Sequence, residues 1–66
     1  MKGTVLEVVK QEDGTFDFFR NHQLEQGACS QRTLEERLCI GWGYCADELR
    51  SILQEIESTG RAVITI

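Results

Sequence analysis

Apolar residues along the chain fall into two kinds of pattern, and the clearest is helical. Between Cys45 and Ser58, Leu49, Ile52, Leu53 and Ile56 stand at i, i+3, i+4 and i+7, with Ala46 one turn earlier. That spacing places them on one stripe of an amphipathic helix. Cys45 occupies the cap position, and Glu48 three residues later completes a capping-box spacing. Gly60 supplies a left-handed residue to end the helix. A shorter helical pattern, Thr33 to Ile40, has Leu34 and Leu38 one turn apart. Thr33 and Glu36 are spaced as a capping box, and Gly41 is placed to terminate it. Two turns are unstable alone, so this helix has to dock to persist.

The second pattern is alternation. Thr4 to Lys10 and Thr15 to Arg20 are rich in Val, Phe and Thr and flank Glu12-Asp13-Gly14, which signals a hairpin. A two-residue Asp13-Gly14 turn would set Val5, Glu7 and Val9 on one face with Phe16, Phe18 and Arg20. A three-residue loop with Gly14 left-handed groups Leu6 and Val8 with Phe16 and Phe18 instead. The second register gives the cleaner apolar face and is preferred, because a slip of one residue inverts every side chain. It leaves Val5, Val9 and Phe19 outside with Glu7 and Asp17, either as ordinary exposed apolar surface or as a partner surface. Arg61 to Ile66 alternates as well, with Ala62, Ile64 and Ile66 on one side. Residues 21–32, NHQLEQGACSQR, show no period and read as a long loop.

These elements predict one α+β domain spanning residues 1–66. Its order is an N-terminal β-hairpin, a short helix, a longer amphipathic helix and a C-terminal strand. The strands form a small three-stranded sheet with both helices on one face. The last strand pairs either antiparallel with the second strand or beside the first in a mixed sheet.

Size and charge narrow the function. Sixty-six residues bury a small core, with 41% hydrophobic content and no proline. No apolar run approaches the roughly 18 residues of a membrane span, and the start lacks a secretory leader pattern. The net charge of −4 opposes phosphate neutralisation and attraction to anionic lipid. Three cysteines cannot all pair internally, so reduced thiols in a cytoplasmic protein are expected.

Candidate chemistry is thin. His22, Cys29, Cys39 and Cys45 complete the ligand types of a tetrahedral zinc site, but lack the knuckle spacing of two to four residues. Cys39 reads more simply as a packed apolar side chain. Cys45, at a helix N-terminus, is the thiol best placed to be reactive. No acyl-transfer motif accompanies it, and no enzyme activity or cofactor is expected. Gly41 and Gly43 form a GxG without the Lys-Ser/Thr of a phosphate loop.

The helix pair, LEERLCIG followed by ADELRSILQEIESTGRAV and a strand, is similar in outline to winged-helix regulators. That resemblance implies a second helix reading the DNA major groove. Such a role would need Lys2, Lys10, Arg20, Arg32 and Arg37 to gather on one face. The exposed side of the main helix instead carries Asp47, Glu48, Glu55 and Glu57 against Arg50, and Asp47 and Arg50 are spaced to pair with each other. The expectation is therefore a small acidic accessory or regulatory protein that binds another protein, with a homodimer as one form. Its contact set would be Trp42, Tyr44, Asp47, Glu48, Arg50 and Gln54. The two aromatics either anchor a partner or plug the end of the core.

Overall fold

The computed structural model describes residues 3–66. It is an α+β domain with a four-stranded antiparallel sheet and both helices on one side. The first hairpin joins β1 (Val5–Lys10) to β2 (Phe16–Arg20) in the preferred register, with Val8 opposite Phe18 and Lys10 opposite Phe16. Its three-residue loop is closed by the Gln11 N–H donating to the Thr15 carbonyl at 2.7 Å and the Gly14 N–H donating to the Gln11 carbonyl at 3.0 Å. Gly14 has φ +90°, a conformation glycine adopts without steric cost. Asp13 Oδ1 accepts both the N–H and the hydroxyl of Thr15, at 2.9 and 2.7 Å. These bonds to the charged form hold its carboxyl below its usual value.

The expected loop over residues 21–32 is a strand in most of its length, so the three-stranded sheet is corrected to four. β3 (Gln23–Cys29) follows β2 through the two-residue turn Asn21-His22, whose φ values are +51° and +68°. Positive φ at both central positions is the twist that a tight hairpin requires, and Asn tolerates it well. Asn21 is tied to β1: its N–H donates to the Val5 carbonyl at 2.8 Å, and its Oδ1 accepts the Val5 N–H at 2.9 Å. β3 hides from pattern reading because it is an edge strand, buried only at Cys29. Its pairing with β2 shifts register twice, between Phe16 and Phe18 and again between Phe18 and Phe19. Such bulges destroy alternation.

The extra strand also settles where the last one goes. β4 (Arg61–Thr65) lies beside β1 and antiparallel to it, giving the order β3-β2-β1-β4. Neither expected arrangement had this geometry: β3 adds one reversal of direction, so the chain returns antiparallel to β1.

The first helix, α1 (Gln31–Glu36), starts two residues before the expected cap. Ser30 is the N-cap, its Oγ accepting the Thr33 N–H at 3.2 Å, while Thr33 Oγ1 hydrogen-bonds the Ser30 hydroxyl. It widens into a π-helical turn over Arg37–Gly41. Termination falls to Gly43 rather than Gly41: with φ +78°, it donates to the Cys39 carbonyl at 3.0 Å, and Tyr44 donates to that of Leu38 at 3.1 Å. The main helix, α2 (Ala46–Thr59), runs as expected from Cys45 to Gly60, which has φ +88° and donates to the Ile56 carbonyl.

The core lies between helices and sheet. Leu6, Val8, Phe16 and Phe18 fill the sheet side, with Cys29 and Ala62 at its flanks; Leu34, Leu38, Ile52 and Ile56 come from above. α2 packs over β4 and β1, and α1 over β2. Leu49 and Leu53 complete the predicted stripe but are only half-buried. α1, six residues long, spans about 9 Å at 1.5 Å per residue, too short to cover the 14-residue α2. Among the described residues, no helix is long and apolar enough to cross a membrane.

Candidate functional site

The six residues expected to make contacts do not converge. Trp42 and Tyr44 both pack against the core and stay partly exposed. Trp42 lines a 400 Å³ depression with Gln26, Arg37 and Ile40. Arg50 and Gln54 line a different, 670 Å³ groove between α1 and α2, with Leu49 and Leu53 along one wall and Gln31 and Glu35 along the other. Asp47 pairs with Arg50 at 3.3 Å, as the spacing predicts. Glu48 accepts the Cys45 N–H at 2.9 Å, a bond that holds its carboxyl below the usual carboxylate range. Glu48 therefore caps the helix.

The cysteines and histidine are dispersed too. His22 sits exposed in the β2–β3 turn, and Cys39 and Cys45 are exposed on the helical side. Cys29 is buried, its thiol donating to the Phe16 carbonyl at 3.2 Å. Burial pushes that thiol up from its ordinary value, which keeps it protonated and a poor nucleophile. Among the described residues no cluster of three or more His, Cys, Asp or Glu side chains is placed to hold a metal.

What the fold does assemble is the helix-free face of the sheet. Alternation turns Val5, Glu7 and Val9 of β1 to this side, and pairing brings Asp17 and Phe19 of β2 beside them. Leu24 lies opposite Phe19, and Val63 opposite Glu7. Val5, Val9 and Phe19 are half-buried, while Leu24 and Val63 are 58% and 48% exposed.

The charged groups here are satisfied within the face. Glu7 pairs diagonally with Arg61 across the β1–β4 ladder. Asp17 accepts the Gln11 side-chain amide at 2.7 Å and the Ala28 N–H at 2.9 Å. That last bond braces Ala28, which stands at φ +50° in the bulge of β3. Polar demand is met internally, and apolar area is left uncovered.

Sequence reading singled out Val5, Val9 and Phe19 but missed Leu24. The available signal was its isolation as the one large apolar side chain in residues 21–28. Ile40, 83% exposed, was also missed; it sits on the π-helical turn, where a regular 3.6-residue helix no longer fixes which way a side chain faces.

No protein-family model, curated protein or solved structure matches this chain.

Proposed function

We propose that this chain is a non-enzymatic accessory or regulatory module of the cytoplasm that works by binding another protein. The observation that carries the reading is the open sheet face, where Val5, Val9, Phe19, Leu24 and Val63 surround Glu7 and Asp17, carboxylates that already have partners within the chain in Arg61 and in Gln11 and Ala28. An uncovered apolar face of this kind gains free energy when a partner removes it from water, and its satisfied polar groups need little desolvation. Free thiols suit a reducing compartment.

Charge supports a protein partner over nucleic acid. Lys10, Arg20, Arg32, Arg50 and Arg61 each sit against a carboxylate, and Arg37 donates to Gln26 Oε1 at 2.8 Å. Lys2 lies outside the described residues. A basic stripe, the requirement for gripping phosphates, is not what these pairs build.

The test is site-specific photo-crosslinking in cells. A photoreactive phenylalanine analogue at position 19 should capture another protein, while one at Arg32, on the helical side, should not. Absence of adducts at 19, or equal capture at both positions, would overturn the reading. A titration with mixed-sequence duplex DNA at low salt should leave the amide spectrum unchanged.

A further inference from the structure

The two edges of the sheet are built differently. β3 is defended: its two register shifts and the left-handed Ala28 break the straight row of backbone groups that another strand would need. β4 has no such device. Its pairing with β1 runs unbroken from Arg61 opposite Val9 to Thr65 opposite Val5. It contains no proline or lysine, and its one charge, Arg61, is neutralised by Glu7.

The hydrogen bonds fix which groups face outward. Lys10 donates to the Gly60 carbonyl at 2.9 Å and Ile66 donates to the Thr4 carbonyl at 2.8 Å, so even-numbered residues here bond to β1. Antiparallel alternation then turns the N–H and C=O of Arg61, Val63 and Thr65 to the free edge. Thr59 Oγ1 already lies 2.8 Å from the Arg61 carbonyl oxygen, confirming that this oxygen points away from β1; its second lone pair stays open.

We propose that β4 pairs antiparallel with β4 of a second copy about a two-fold axis at Val63, joining two sheets into one of eight strands. The segment is self-complementary in that register. Val63 meets the second copy's Val63, and Arg61 meets the second copy's Thr65, so no like charges stand opposite each other. On the helical side Ala62 faces the second copy's Ile64, apolar against apolar. Three outward residues per strand give six backbone hydrogen bonds across the axis, two of which the Arg61 N–H groups of the two copies make by exchanging their long 3.5 Å contact with Thr59 Oγ1. A closed two-fold contact uses both edges once and leaves the bulged β3 edges outermost, so growth stops at the dimer. The edge uses backbone groups of β4, whereas the open face uses side chains, Val63 among them; Phe19→Asp separates the two, since it should abolish capture through the face and leave association through the β4 edge unchanged.

Sedimentation equilibrium of the purified chain tests it. The wild type should reach twice its 7.5 kDa monomer mass, more readily in high salt, because each copy carries a charge of −4. Val63→Pro removes an N–H that bonds nothing within the chain. It should keep the monomer fold by circular dichroism while weakening association roughly thirtyfold, through two lost hydrogen bonds. Val63→Lys, a change at an exposed position, should do the same by setting two ammonium groups opposite each other, and it carries the test should the proline variant fail to fold. A wild type that stays monomeric at millimolar concentration in high salt overturns the proposal. So does a Val63→Lys chain that still dimerises as wild type does.

Discussion

The turn that creates β3 makes a sharp claim about residue 22. His22 stands at φ +68°, where an ordinary L-residue loses about 1–2 kcal/mol and a β-branched one more. Glycine has no such loss but gives up roughly 0.5–1 kcal/mol more backbone entropy on folding. His22→Gly should therefore stabilise the domain by about 0.5 kcal/mol, and His22→Val should destabilise it by about 1 kcal/mol. The spread of about 1.5 kcal/mol corresponds to roughly 6–12 °C in Tm for a domain this small. One residue later the order reverses. Gln23 is an exposed strand position, where valine outperforms glycine by up to about 1 kcal/mol.

Thermal and urea unfolding of the four variants, followed by far-UV circular dichroism, reads both pairs. Glycine ahead of valine at 22 together with valine ahead of glycine at 23 is the signature of a tight turn entering a strand. An irregular loop would leave all four within a few tenths of a kcal/mol of wild type. That outcome, or valine matching glycine at position 22, would refute the reasoning.

Two further outcomes follow from packing and charge. Leu38 is fully buried under the π-helical turn and Ile40, two residues on, is almost fully exposed; Leu38→Ala should cost about 2–5 kcal/mol and Ile40→Ala under about 0.5, as urea midpoints would show. Asp13 and Glu48 titrate below their ordinary values in the folded chain, through the Thr15 hydroxyl and N–H and through the Cys45 N–H. Their contribution is complete above the ordinary values of 3.8 and 4.5 and disappears as pH falls through the lowered ones. Stability should thus decline below about pH 4, and an Asp13→Asn, Glu48→Gln double variant should show a flatter decline between pH 5 and 2, measured as urea midpoint against pH.

Elements whose information is local were legible. The α2 stripe, its Glu48 cap and its Gly60 terminus act within a few residues of one another, and the structure has all three. The hairpin register was readable because Leu6, Val8, Phe16 and Phe18 make an apolar set in only one pairing, and all four are buried. The start of α1 was misplaced because two hydroxyls compete. Ser30 and Thr33 both cap well, and the winner is the one whose Oγ reaches the Thr33 N–H. Its end was misplaced because the π-helical turn shifts the terminator from one glycine to the next.

β3 was illegible for a reason that also explains the rest. Apolar alternation marks a strand only when one of its faces is buried, and β3 lies at the sheet edge with bulges that turn its side chains out of step. What holds it is hydrogen bonding: the ladder to β2, Asn21 on Val5, Asp17 on Ala28 and the Arg20–Glu25 pair at 3.0 Å. None of these interactions leaves a periodic trace in sequence. Missing one strand changed the parity of the chain's reversals, so neither expected place for β4, antiparallel beside β2 or parallel beside β1, matched its antiparallel pairing with β1. It also hid Leu24, since a residue has no face until its strand has a register. The candidate site was half-visible for the same cause: Val5, Val9 and Phe19 were surplus to the core in the first hairpin alone, whereas the surface they form with Leu24 and Val63 exists only once both outer strands are in place.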